Sequence, residues 1–291
     1  MRIEFGAAAK AALACLGAFW LTSPAVVSAR AAECHDCKFS PATLQFLVAH
    51  TGLDGEQWDN IMKLVNKPEQ DSLDWPAFYG YCQNINDGRG FTIGIFGATT
   101  GGPNDTGPDA PGLFKAFDGV SGASSPSVAG GLARAGVHGK MVGPILEISD
   151  SASVFCAHIN ALQADADWRE AMWRTFYDVD IAYSVAAARQ RGFADALAIG
   201  SFVDTALNEG ATPDYGSLEG VLSRSGTSHD ELIFLPDFYA MRDKVVDTHQ
   251  YNQPPNGHHR VEQWIDLLHM GRFSLLDADQ AILQVTNWRL K

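Results

Sequence analysis

The sequence predicts an α+β fold, mainly helical, with one small hairpin-like sheet. Three observations carry that prediction. Apolar residues recur at helical spacing or in long apolar runs over most of the C-terminal half. A single strand-like segment, FTIGIFGA from Phe91 to Ala98, follows a glycine-rich turn. The chain has 291 residues, 46% of them hydrophobic, which is enough to bury one sizeable core and too apolar for disorder.

The elements follow in order. Leu53 to Asn66 reads as an amphipathic helix whose apolar face is Trp58, Ile61, Met62, Leu64 and Val65. Asp54 and Gln57 have capping-box spacing at its start, and Lys67-Pro68 is expected to stop it. A second helix is expected to begin at Pro76 and end near Ile85. Asn86-Asp87-Gly88-Arg89-Gly90 is a turn by composition, and the Phe91–Ala98 strand leads into a Gly/Pro/Asn loop through about Pro111. Asp118 to Gly143, rich in Gly, Ala and Ser, reads as irregular. Asp165 to Arg191 reads as one long helix with Trp168, Met172, Trp173 and Phe176 inward, as core rather than as sugar platforms. Ala194 to Asn208 is nearly all apolar, so Asp204 should be buried on its helix. Pro236–Asp247 and Arg260–Met270 complete the set.

The N-terminus has a different logic. Arg2 and Lys10 precede an apolar run from Ala11 to Val27, and Ala29-Arg30-Ala31 supplies small residues for cleavage. Residues 1–31 therefore read as a secretory signal peptide, too short and too weakly apolar for a membrane span. Its removal takes away Arg2, Lys10, Arg30 and Glu4, and the mature balance becomes 33 acidic against 18 basic residues. So acidic a chain lacks the basic footprint of a nucleic-acid binder and suits a cationic partner or plain solubility. The product is expected outside the cytoplasm, extracellular or periplasmic, as a monomer with no membrane partner. Cys34, Cys37, Cys82 and Cys156 remain after cleavage, an even count that favours disulfides and allows three pairings. Cys34-His35-Asp36-Cys37 lacks the second ligand pair of a tetrahedral zinc site, so no metal and no cofactor are expected.

The signatures of many enzymes are missing: no G-x-S-x-G, no P-loop lysine motif, no G-x-G-x-x-G after a strand, no H-E-x-x-H. What remains is carboxylate chemistry. Glu69 follows Pro68 among apolar residues that include Trp75. Asp87 lies on a glycine-flanked, solvated turn entering a strand. Two carboxylates in contrasting environments are what a general acid and a general base in glycoside hydrolysis require. Spacing alone is a weak signal, because 33 mature acidic residues offer many such pairs.

Longer motifs sharpen it. Pro68-Glu69-Gln70-Asp71-Ser72-Leu73-Asp74-Trp75 and Asn86-Asp87-Gly88-Arg89-Gly90-Phe91-Thr92 resemble the two active-site segments of the glycoside hydrolase family 46 chitosanases. The resemblance continues through Phe96-Gly97-Ala98-Thr99-Thr100-Gly101-Gly102. Gly200-Ser201-Phe202-Val203-Asp204-Thr205-Ala206-Leu207-Asn208 and Tyr251-Asn252-Gln253-Pro254-Pro255-Asn256-Gly257 resemble the Bacillus-type members, so the likeness spans nearly the whole mature chain. It implies a lysozyme-like fold of two mainly helical lobes around a cleft, formed by residues 32–291 as a single catalytic domain. The implied activity is endo-hydrolysis of chitosan with inversion at the anomeric carbon.

The resemblance also implies roles. Glu69 would be the acid that protonates the leaving oxygen, and Asp87 the base that activates water from the opposite face, with the carboxyls on the order of 6.5–9.5 Å apart or more. Thr92 would help hold that water, or be only a β-branched strand residue. Arg89 would orient the base or the cleft, or be an exposed turn residue. Asp204, Arg242 and Arg260 match an acidic–basic network behind the acid, and a buried Asp needs such cationic partners. Asp105 lies at or near the family's substrate-binding aspartate, with Asn104 the alternative after a one-residue insertion. Asp180 and Gln250 depart from the Tyr and Lys of Bacillus-type chains, which bears on the subsites. Relatives with cysteines at both places imply a Cys82–Cys156 disulfide, leaving Cys34 and Cys37 to pair with each other or stay free. Two rival readings share parts of this picture: a muramidase on the same scaffold, whose anionic polymer ill suits an acidic protein, and a non-catalytic polysaccharide-binding protein.

Overall fold

The computed structural model describes residues 38–212, 214–246 and 255–290. The predicted signal peptide, Cys34, Cys37 and Gln250 lie outside the described residues. Helix α1 (Pro41–Thr51) and helix α2 (Gly55–Gln70) open the chain. Asp54 caps α2 reciprocally with Gln57, as their spacing predicts. The predicted stop at Pro68 does not occur: α2 continues to Gln70 and ends on Asp71 in the left-handed region. Pro68 cannot donate to the carbonyl of Leu64, but the side chain of Gln263, far along the chain, donates to it at 2.8 Å.

The helix expected from Pro76 to Ile85 is also absent. A single 3₁₀ turn (Trp75–Phe78) leads instead into strand β1 (Cys82–Gln83). The Phe91–Ala98 strand is in fact two short strands, β2 (Thr92–Ile93) and β3 (Ala98–Thr99), folded back on each other. The chain reverses between Gly94 and Gly97, where the Ile95 N–H meets the Met172 sulfur at 3.2 Å. The order β1-β2-β3 is antiparallel, with Thr92 opposite Gln83 on one side and Thr99 on the other.

The stretch expected to be irregular is largely ordered. Helix α3 (Ala110–Val120) begins inside the predicted loop, and helix α4 (Val128–Ala135) is capped by Ser127. Strands β4 (Gly139–Val142) and β5 (Ile145–Ile148) form a second, two-stranded sheet that the sequence does not predict. The small residues serve close packing here: a Cβ on Gly131 would lie 1.8 Å from the carbonyl oxygen of Phe114 in α3. Helix α5 (Ala152–Ala161) carries Cys156, which is disulfide-bonded to Cys82 of β1 with the Cα atoms 5.2 Å apart.

The predicted long helix is continuous in path but has three parts: α6 (Ala166–Phe176), a π-helical turn (Tyr177–Ile181) and α7 (Ala182–Gln190). Asp180 is buried within the π turn. Trp168, Met172, Trp173 and Phe176 are all fully buried, and Trp173 packs edge-on against both Trp58 and Trp75. Helices α8 (Ala196–Glu209), α9 (Leu218–Arg224), α10 (Glu231–Val246), α11 (Asn256–His269) and α12 (Asp279–Val285) follow. Helix α10 starts earlier than predicted and takes Pro236 into its interior. No described helix is long and apolar enough to cross a membrane. The whole is mainly helical with small antiparallel sheets, and its positions for chemistry are the end of α2, the sheet turns, and the buried faces of α8, α10 and α11.

Candidate active site

Helix α8 is the buried support. Its apolar residues place Asp204 at zero exposure, where a carboxylate survives only with full pairing. Four donors converge on it. Arg260 of α11 donates Nε at 3.0 Å and Nη2 at 2.7 Å to Oδ1. Arg242 of α10 donates Nη2 at 2.7 Å, and Trp264 of α11 donates Nε1 at 2.9 Å, both to Oδ2. Burial works against the charged form of Asp204, but the guanidiniums of Arg242 and Arg260 outweigh it and hold the carboxyl below its ordinary range. Burial likewise opposes the charge on Arg260, and Asp204 with Glu69 overcomes it, so that guanidinium stays protonated.

The third arm of Arg260 reaches the predicted acid. Nη1 donates to Glu69 Oε1 at 2.5 Å, and the Glu69 side chain keeps about 15% of its surface exposed. Arg242, Asp204, Arg260 and Glu69 thus form one chain of charges running from the core to a partly open carboxyl. Residues next to Arg260 and near Glu69 in the chain meet on one indole. His259 stacks on Trp288 with ring centres 5.4 Å apart, and Lys67 lies 5.0 Å from the centre of the same indole.

Asp87 belongs to a second cluster, on the sheet side. Its Oδ1 accepts the Arg89 backbone N–H at 3.0 Å and its Oδ2 the Arg89 Nε at 2.6 Å. Arg89 is therefore no exposed turn residue; it is buried and paired to Asp87. The loop after β3 holds this turn in place. Asn104 donates its side-chain amide to the Asp87 carbonyl at 2.7 Å and its backbone N–H to the Gly88 carbonyl at 3.1 Å. Gly90 has φ +78°, and a Cβ there would lie 2.3 Å from Thr100 Oγ1, so only glycine lets the two loops close.

Thr92 is buried in β2 opposite Thr99, which puts the two on one face of the sheet. Thr99 hydrogen-bonds to Asp105 Oδ2, and Asp105 Oδ1 accepts the Gly107 N–H at 3.1 Å. Of the two aspartate-position alternatives, Asn104 fastens the Asp87 turn while Asp105 is anchored on the Thr99 face. The structure thus brings Glu69, Arg260, Asp204 and Arg242 together, sets Asp87 with Arg89, and sets Asp105 beside Thr99. Sequence reading missed Trp264, Thr99 and Gln263. Each left a faint trace: Gln263 and Trp264 stand about one helical turn after Arg260, and Thr99 lies within the Phe96–Gly102 motif. Among the described residues no cluster of three or more His, Cys, Asp or Glu could hold a metal ion.

The profile of glycosyl hydrolase family 46 matches residues 63–106, the segment that carries Glu69, Asp87, Arg89, Thr92 and Asp105. A chitosanase of Niallia circulans is 60% identical over 264 residues, 91% of this chain and 88% of that protein. Among solved structures, a family 46 chitosanase of Gynuella sunshinyii in complex with chitotetraose superposes with a TM-score of 0.59 at 16% identity, covering 77% of this chain and 92% of that one. A native chitosanase of Bacillus subtilis superposes at 0.57 with 19% identity over 77% and 93% of the two chains, so both share the fold. The protein is therefore a glycoside hydrolase. It belongs to glycosyl hydrolase family 46.

Proposed function

We propose that the protein is an endo-acting chitosanase that cleaves β-1,4 linkages between glucosamine units with inversion, Glu69 acting as general acid and Asp87 as general base. The observation that carries the reading is the buried relay from Asp204 through Arg260 to Glu69. It engages one oxygen of Glu69 and leaves the other to deliver a proton to the leaving glycosidic oxygen. Asp87, although paired with Arg89, keeps acceptor capacity on both oxygens and so can take a proton from water. Thr92 would help to hold that water. Asp105 would bind substrate from the Thr99 face. Chitosan is a polyamine, and a mature chain with 33 acidic against 18 basic residues attracts it. The chitosanase relative at 60% identity supports the same substrate.

The rest of the reading concerns the working form. Residues 1–31 would leave as a signal peptide, and the mature chain would act outside the cytoplasm as a monomer, its single catalytic domain forming two lobes around the cleft. Reducing-sugar release from chitosan and from peptidoglycan, with wild type, Glu69→Gln and Asp87→Asn, tests the activity and both roles. Release from chitosan alone is expected, with Glu69→Gln lowering kcat by a factor on the order of 10²–10⁴. Release from peptidoglycan, or a Glu69→Gln variant that keeps the wild-type rate, contradicts the reading.

A further inference from the structure

Glu69 stands one residue after a gap in the hydrogen-bond ladder of its own helix. Pro68 has no N–H, so the carbonyl of Leu64, four residues earlier, lacks its helical donor. That carbonyl sits in the interior, since Leu64 is fully buried and Pro68 is buried as well. A buried carbonyl left unpaired is costly. The other internal proline shows the contrast: Leu232, four residues before Pro236, is 63% exposed, and water can serve its carbonyl.

The Leu64 carbonyl is served from another helix. Gln263 of α11, only 1% exposed, donates Nε2 to it at 2.8 Å. Three residues earlier on the same face of α11, Arg260 grips Glu69 Oε1. Two side chains of one helix therefore hold α2 on either side of Pro68. We propose that Gln263 is a positioning residue for Glu69, replacing the backbone bond that Pro68 removes and fixing the last turn of α2 against α11 so that the acid meets Arg260 in a single register. The inference rests on Glu69 being the general acid. Without Gln263 the turn can pivot at Pro68, and a displacement of about 1 Å in a reacting group costs up to about 10²-fold in rate.

The test compares Gln263→Met, of similar length but with no donor, with Pro68→Ala/Gln263→Met, in which alanine's own N–H serves the Leu64 carbonyl. Steady-state kinetics on chitosan are measured well below Tm and normalised to folded protein. Gln263→Met is expected to lose kcat on the order of tenfold or more with KM within about twofold, and the double variant to recover to within about threefold of wild type. A merely structural glutamine would lower Tm and leave kcat per folded molecule intact, and that result overturns the inference. So does a loss that Pro68→Ala fails to rescue. If Gln263→Met does not fold, Gln263→Asn, whose amide is one methylene too short to reach the Leu64 carbonyl, takes its place with the same two readouts: a loss of kcat on the order of tenfold that Pro68→Ala rescues supports the inference, and an intact kcat per folded molecule overturns it. Glu69→Gln in parallel separates the two claims, because a fully active Glu69→Gln defeats the acid assignment itself, whereas an inactive one beside a fully active Gln263→Met defeats only the role of Gln263.

Discussion

Asp204 has no exposed surface and accepts four hydrogen bonds, two of them from one face of Arg260. A buried charge so completely paired cannot lose its partners one at a time; removing either member of such a pair costs about 3–5 kcal/mol. The residue therefore fixes Arg260, and Arg260 presents an N–H of Nη1 to Glu69. A different carboxyl titrates near neutrality. Burial first, then the hydrogen bond and charge of Asp195, push the Glu231 carboxyl up from 4.5 to about 7. Between those two values the folded state holds a proton that the unfolded state has released, so stability falls as pH rises through that window and levels off above it. Glu231→Gln, which keeps the shape of the protonated acid, should raise Tm relative to wild type at pH about 8 and leave it unchanged near pH 4. Thermal melts at the two pH values check this, and an equal shift at both would contradict it.

At the scale of elements, legibility depended on where the deciding partner sat. The N-terminus of α2 was legible because Asp54 and Gln57 cap each other within one turn. Its C-terminus was not, because the donor that lets the helix run through Pro68 comes from Gln263, 199 residues away from Leu64. Helix α4 looked irregular because its Gly and Ser content reads as punctuation, whereas Gly131 is there to let the Phe114 carbonyl approach. The π turn between α6 and α7 left no signal in the apolar spacing, which runs on through it. The disulfide was legible only through the family resemblance, since four cysteines leave three pairings open. It ties β1 to α5 across a separation of 74 residues, a span that encloses the Asp87 turn and both sheets' connections. Loop-closure entropy puts its contribution on the order of 4 kcal/mol. Cys82→Ser/Cys156→Ser should therefore lower Tm by on the order of 10 °C in calorimetry, and an unchanged Tm would contradict that contribution.

For the whole molecule, the two candidate carboxylates were legible to different degrees. Asp87 lies in a turn whose composition announces it, and its partner Arg89 is two residues away. Glu69 depends on Arg260, 191 residues later, so its local surroundings gave only a weak signal and the longer motifs sharpened it. The physics nonetheless assigns the two different surroundings: one carboxyl at a helix end backed by a buried arginine relay, the other on a sheet turn with an arginine beside it. On the proposed reading they serve a single displacement, in which water attacks from one face while the leaving oxygen is protonated from the other. Proton NMR of chitosan hydrolysis in its first minutes tests that claim most directly. The α-anomer of the new reducing end is expected to form first and to mutarotate afterwards; an initial β-anomer would contradict a single displacement, requiring a covalent intermediate and a nucleophile in place of the base.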